Sequence, residues 1–210
     1  MPLHRRVFAA WLLVVVVAAC GGGDGVTTTG PFVPSTIDTT RGLVLDPIGL
    51  RAVPFGADPD AAVAAVADLL GRPPDVDTGW IDPFSDYGTC PGSEIRAAEW
   101  GDLTLLFTDG ESEFAPAGRR HFFSYAYRTG NRGPDGLRTQ LGIGLGSSVA
   151  ALQDAYGPDL AIKAETIEDV AAGGPRYEIA YSRGLLSGFV AGTGPDESVL
   201  AIDGGVGCGR

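Results

Sequence analysis

The feature that most constrains the fold is a sixteen-residue stretch that occurs twice. Residues 56–71, GADPDAAVAAVADLLG, lie without gaps on residues 142–157, GIGLGSSVAALQDAYG, at a constant offset of 86. Six columns are identical: Gly56/Gly142, Val63/Val149, Ala64/Ala150, Ala65/Ala151, Asp68/Asp154 and Gly71/Gly157. In both copies the larger apolar residues, Val63, Val66 and Leu70 or Val149, Leu152 and Tyr156, recur at i, i+3 and i+7, which is one stripe of an amphipathic helix. Each stripe stops at a glycine, the residue that most readily takes the left-handed conformation ending a helix. The first copy opens on Asp58-Pro59, an oxygen acceptor at the N-cap with proline behind it, and the second on a glycine-serine N-cap region. Such self-similarity predicts an internal repeat.

Strand-like sequence follows each helix. In the first half, residues 94–100, 103–108 and 120–128 are rich in β-formers, broken by Gly101-Asp102 and by a loop over 109–118. In the second, residues 161–166, 176–182, 185–191 and 198–202 do the same, broken by glycine-rich turns. This order of elements predicts an α+β fold: two helix-plus-antiparallel-meander repeats, with the helices on one face of the sheet. The first repeat is expected over 42–128 and the second over 129–210, the two packing as one compact unit.

The amino terminus decides where this domain is expected to live. Arg5 and Arg6 precede thirteen uncharged apolar residues, Val7 to Ala19, too few to span a bilayer core that needs about twenty. Basic start, short apolar run and small residues before a cut site make a secretory signal over 1–19. Val17-Ala18-Ala19-Cys20 resembles the lipobox of bacterial lipoproteins, in which the cysteine is acylated and becomes the first mature residue. The resemblance implies a lipid anchor on Cys20, a membrane partner through that lipid, and an extracytoplasmic domain. Arg5-Arg6-Val7-Phe8 also resembles the twin-arginine export motif, whereas the very apolar core suits the general secretory route. Residues 20–41, rich in Gly, Thr and Pro, are expected to be a flexible tether.

Charge and composition then exclude several functions. The chain has 15 basic and 26 acidic residues, and removal of 1–19 takes away two arginines and no acid. A surface this acidic has no electrostatic footprint for phosphate backbones, so no nucleic-acid partner is expected. Past Cys20 there is one lysine, Lys163, and one histidine, His121. A two-histidine zinc site is excluded, and a serine or cysteine nucleophile needing an imidazole would have to use His121. Cys90 and Cys208 remain for an exported domain, where a disulfide is expected and two buried thiols are the alternative.

Other constellations are weak. Residues 142–148, GIGLGSS, imitate a phosphate-binding glycine loop, but the aligned residues of the first copy are acidic, so a structural helix entry is expected. Asp75, Asp77, Asp82 and Asp86 crowd one loop, yet without the spacing of an EF-hand. They are expected to be a solvated turn rather than a calcium site or the paired carboxylates of a glycosidase. Ser187 does not sit in a nucleophile elbow. No metal and no cofactor are expected.

The duplicated glycine–helix–glycine motif followed by strands is similar to the tandem-repeat fold of the beta-lactamase inhibitory protein, and to the helix-hairpin-plus-sheet unit of small envelope-assembly lipoproteins. Cys90-Pro91-Gly92, Trp100-Gly101 and the terminal Gly-Val-Gly-Cys208 resemble actinobacterial lipoproteins of uncharacterised function. The likeness covers about residues 50–208 and departs at 72–90, where Asp/Pro-rich sequence replaces an expected second helix. It implies a non-catalytic, protein-binding and inhibitory habit, with an envelope or secreted protein as partner. An envelope assembly factor is the alternative, and a carboxylate-dependent hydrolase the second.

A candidate binding surface follows from HFFSYAY at 121–127. Strict strand alternation sends His121, Phe123, Tyr125 and Tyr127 to one face and Phe122, Ser124 and Ala126 to the other. Either the aromatic face packs under the helices, where Ala61, Ala64, Ala65, Ala150 and Ala151 would leave room, or it lies open and binds a partner. Tyr177 and Tyr181, which share a face of 176–182, are the next candidates.

Overall fold

A computed structural model describes residues 35–128, 136–163 and 174–209, all of which belong to one compact unit. Cys20, the run before it and residues 164–166 of an expected strand lie outside the described residues. The fold is mixed α and β, dominated by antiparallel sheet, with two short α-helices among the described residues.

The chain enters through a hairpin, β1 (Leu43–Asp46) and β2 (Gly49–Arg51), and then forms α1 (Pro59–Leu70). Short strands β3 (Val76–Asp77), β4 (Phe84–Ser85) and β5 (Gly88–Thr89) lead to β6 (Ile95–Trp100), β7 (Leu103–Thr108) and β8 (His121–Arg128). The second half holds α2 (Val149–Tyr156), β9 (Leu160–Ile162), β10 (Arg176–Ile179), β11 (Leu186–Val190) and β12 (Val199–Gly205). One eight-stranded sheet runs in the order β3-β6-β7-β8-β12-β11-β10-β9. Its centre is the antiparallel pair β8 and β12, with Tyr127 opposite Ile202 and Tyr125 opposite Gly204.

The helix signals act as expected. The Asp58 carboxylate accepts from the Ala61 N–H at 3.1 Å, and the Ser148 hydroxyl accepts from the Ala151 N–H at 3.1 Å. Each satisfies one of the donors a helix start leaves open. Gly71 ends α1 in the left-handed region, at φ 68°. Val149, Leu152 and Tyr156 are buried as their spacing implies, whereas α1 buries Pro59, Ala62, Ala65 and Val66 and leaves Val63 and Leu70 half-buried. The alanines let α1 approach closely, which rotates its inner face away from the larger residues. Both helices contribute to a single cluster with Trp100, Leu103, Phe107, Tyr125, Tyr127, Tyr177 and Ile202 from the strands.

One expectation is corrected, and the choice left open for the aromatic stripe falls to the core. The tether ends before residue 41: Ile37 packs on the core, the Asp38 N–H donates to Ala52 O at 2.9 Å, and Asp38 caps a turn of 3₁₀ helix at Thr39–Arg41. The aromatic stripe of β8 is not an open binding face. His121, Phe123, Tyr125 and Tyr127 are all buried, as is Tyr177; Tyr181 alone among the candidates is exposed, at 42%. Strict alternation also fails, because the β7–β8 register slips so that Phe107 faces Phe122 while Leu106 faces Ser124, leaving Phe123 as an extra residue on β8. Such a bulge turns the side chains beyond it over. Phe122, Tyr125 and Tyr127 join the main core, and Phe123 joins Ala97 and Leu106 in a second cluster.

Two glycines show how the large rings fit. Gly188 pairs with Tyr177, and Gly204 pairs with Tyr125. A Cβ on Gly204 would lie 2.2 Å from the Tyr125 ring, and one on Gly188 2.7 Å from the Tyr177 hydroxyl. Each ring covers the bare backbone that glycine leaves in a strand, and its hydroxyl finds a carbonyl: Tyr125 donates to Asp46 O at 3.2 Å and Tyr177 to Ala201 O at 2.9 Å.

Tyr125→Ala is therefore expected to cost roughly 3–5 kcal/mol by urea denaturation. Gly204→Ala, which overpacks the same space, is expected to cost about 1–3 kcal/mol. The double variant should cost less than the sum of the two, because removing the ring makes room for the methyl; strict additivity would show that the two do not share the site.

Candidate functional site

Cys90 and Cys208 form a disulfide with a Cα–Cα distance of 4.2 Å. Thr89 and Gly209 extend the tie through paired backbone hydrogen bonds of 2.6 and 3.0 Å. The end of the chain is thereby held against the 82–91 segment, and Cys208 and Tyr87 cover the second cluster around Phe123. The Tyr87 hydroxyl donates to Glu99 at 2.7 Å.

This staple forms one wall of a cavity of about 550 Å³, lined by residues from both halves. Thr89, Cys90 and Pro91 make the stapled wall, and Glu111, Ser112, Glu113 and Phe114 make the facing loop. Phe123 and Leu185 supply apolar surface, and the segment from Gly205 to Gly209 runs along the rim with Val206 87% exposed. Gly205 is required there: its φ is +79°, and a Cβ would come within 2.3 Å of Phe123 O.

The facing loop is pinned from several sides. Ser112 and Ala115 bridge through their backbones, and Gly118 N–H donates to Asp109 O at 2.6 Å. The Phe114 ring packs on Phe55 at 5.1 Å between centroids, and Arg183 from the second half lies 5.1 Å over Phe114 while pairing with Glu113 at 3.0 Å. At its base, Asp109 accepts from the Ser93 and Glu94 N–H groups at 2.7 and 3.2 Å. Burial pushes its carboxyl up, but the Ser93 hydroxyl and these amides outweigh that and hold it below the usual carboxylate range.

His121 sits behind this loop, fully buried at the start of β8. Its Nδ1 is 2.7 Å from Arg119 O and its Nε2 is 2.7 Å from the Ser112 hydroxyl. A carbonyl can only accept, so Nδ1 carries the proton in the neutral ring, and Nε2 accepts from Ser112. The Ser112 oxygen in turn accepts from the Phe114 N–H at 3.1 Å. Burial, with the Arg119 charge in the same direction, pulls the imidazole below its ordinary range against the opposing Arg119 carbonyl and Asp109 charge.

The acidic loop has a different use. Asp77 takes both ends of the Arg96 guanidinium, at 2.8 and 2.6 Å, and Arg96 also reaches Asp60 on α1 at 2.6 Å. Asp75 accepts from Arg72 and from the Gly101 N–H, and Asp82 caps the Phe84 N–H. Asp75 and Asp77 thereby hold the 72–90 segment to the sheet edge, while the Asp82 bond is local to a turn. Among the described residues no group of three His, Cys, Asp or Glu side chains is placed to hold a metal ion. Compared with protein-family models, curated proteins and solved structures, the chain matches none.

Sequence reasoning located His121 and the disulfide but missed Ser112. The signal was present in part, since only one imidazole follows Cys20, yet nothing in the sequence of a loop rich in Asp, Glu and Gly selects its serine.

Two outcomes are expected. Cys208→Ser should cost roughly 2–5 kcal/mol in urea, matching wild type under reducing conditions. The unfolded chain protonates His121 near its ordinary pKa of about 6.5, above the folded value, so stability is full above that pH and declines as pH falls through it. Asp77, lowered by Arg96, and Asp109 add a second loss only below about pH 4, the ordinary carboxylate range. A His121→Gln variant should flatten the first decline and keep the second, as read from urea midpoints between pH 8 and 3.

Proposed function

We propose that the chain is a membrane-anchored extracytoplasmic lipoprotein whose domain binds a protein partner of the envelope, the cavity beside the disulfide receiving an apolar side chain of that partner. The observation that carries the binding reading is the cavity itself: about 550 Å³, walled by Phe114, Phe123 and Leu185, with Val206 projecting at its rim. Concave apolar sites with a few fixed polar groups are where ligands and interface anchors seat. Both the disulfide and the Arg183–Glu113 pair hold its walls in place before binding, which reduces the ordering cost of association.

Anchoring is supported by the run from Val7 to Cys20. Among the described residues no helix is long and apolar enough to cross a membrane, and the proposed attachment is the lipid on Cys20. The tandem-repeat reading is supported by the strand order, in which β3-β6-β7-β8 and β9-β10-β11-β12 are two four-stranded meanders meeting at β8 and β12. Each half also places a capped helix ahead of its last three strands, and the two helices share one core cluster. The inhibitory likeness belongs to the same proposal.

Wild type is expected to fractionate with membranes and Cys20→Ala to appear soluble; an intact mass without the diacylglyceryl group would count against the anchor. For binding, a photo-crosslinking residue at position 206 is expected to capture one envelope protein in intact cells, and Val206→Asp to weaken that capture. Capture from position 181 and none from 206 would place the binding face at Tyr181 instead.

A further inference from the structure

We propose that Ser112 is an activated nucleophile with His121 as its general base, making the cavity an acyl-transfer centre for uncharged esters with an apolar acyl group. This rests on the cavity reading above and adds a chemical step to it, revising the expectation of a module that only binds.

The geometry is that of a nucleophile and its base. Ser112 lies in the cavity wall, and its hydroxyl donates to His121 Nε2 over 2.7 Å. The base is oriented in turn, because Nδ1–H donates to Arg119 O and so leaves the lone pair of Nε2 facing the serine. A serine needed only to cap its loop would be satisfied by the Phe114 N–H. Here the hydroxyl proton has a second, buried and correctly tautomerised acceptor, while one oxygen lone pair stays free for attack. Burial keeps the imidazole neutral at neutral pH, the state a base requires. The single lysine, Lys163, is no rival base: it pairs with Glu178 at 2.8 Å, between β9 and β10 at the sheet's far edge.

The surroundings define the substrate. Glu111 and Glu113 flank Ser112 and disfavour an anionic ligand, while Phe114, Phe123 and Leu185 suit an aliphatic acyl chain. In the first step Ser112 Oγ bonds to the ester carbonyl carbon and its proton passes to His121 Nε2. The carbon–oxygen bond to the alcohol then breaks, and the imidazolium, buried behind Ser112 and uncovered as Oγ moves onto the carbonyl carbon, returns that proton to the leaving oxygen. Water attacks the acylated serine next, giving a proton to Nε2, and that proton returns to Ser112 Oγ as the carboxylic acid leaves. A backbone carbonyl, rather than a carboxylate, orients the ring, so the imidazolium is stabilised less and both half-reactions are slow; an ester whose alcohol leaves readily speeds only the first of them, which makes deacylation limiting. The acylated form should therefore accumulate.

The test uses the full-length protein in its own membranes and an alkyl fluorophosphonate, which bonds phosphorus to a nucleophilic serine as fluoride leaves. Peptide mass spectrometry is expected to find the label on Ser112, with none on urea-unfolded protein. Labelling should vanish in Ser112→Ala, whose melting temperature is read alongside because the change unpairs the buried His121 Nε2 and the Phe114 N–H, and should slow roughly 100-fold in His121→Gln. With 4-nitrophenyl butyrate, a burst of nitrophenol near one equivalent should precede slow turnover. A natively folded wild type that leaves Ser112 unlabelled, or that labels it no faster than the unfolded chain, overturns the proposal. Capture of a partner from position 206 reads independently, so the nucleophile and the binding site can fail separately.

Discussion

The hydrogen-bonded seam between β8 and β12 is the contact on which the rest of the structure depends. It joins the last strand of each half, and without it each half would present an open edge and an uncovered apolar face. The seam accommodates unusually large rings, because glycine stands where they need space. Tyr125 lies over Gly204 across the seam, and two strand pairs away, in β10–β11, Tyr177 lies over Gly188. A glycine in a strand weakens the sheet by itself, and the neighbouring ring restores the lost packing. The Tyr125 hydroxyl then reaches Asp46 O, so that the β1–β2 hairpin is hydrogen-bonded to the same core, while the Tyr177 hydroxyl is satisfied within the sheet by Ala201 O of β12.

Much of this was legible from the residues. Caps at Asp58 and Ser148 and the stop at Gly71 are local chemistry, and local chemistry is what a sequence displays. Strands 95–100, 103–108 and 121–128 follow from β-branched and aromatic composition. The hairpin at 43–51 and the short strands between 76 and 89 were not legible, because their pairing is settled by tertiary partners. Asp77 is bound by Arg96 nineteen positions on, and Thr89 by Gly209 at the other end of the chain. The inner face of α1 was misplaced for a related reason: periodicity ranks residues by size, whereas close packing on a crowded sheet selects Ala62 and Ala65.

The same divide runs through the site. Counting histidines and cysteines was enough to single out His121 and to expect the Cys90–Cys208 bond. The partner of His121 could not be read, since it depends on a ten-residue loop folding back so that residues nine apart meet. Nor could the cavity, whose walls come from positions near 90, 112, 123, 185 and 206.

What brings those walls together is the extra residue in β8. Without a bulge, alternation would place Phe123 with Tyr125 and Tyr127 in the main core, on the side away from the staple. With it, Phe123 turns to the face that carries Leu106, Ala97 and Cys208, and there it becomes apolar lining for the cavity. One inserted residue therefore does two things at once. It lets Phe122 pack against Phe107 and Phe55 on the core side, with ring centroids 5.6 and 4.9 Å apart, and it supplies the opposite side with the only aromatic ring there that faces the disulfide segment from the sheet among the cavity residues. Bulges re-aim side chains at sheet positions that then serve a site. The aromatic run of β8 is consequently neither wholly core nor wholly surface: its division at Phe123 separates the residues that hold the fold from the one that shapes the cavity.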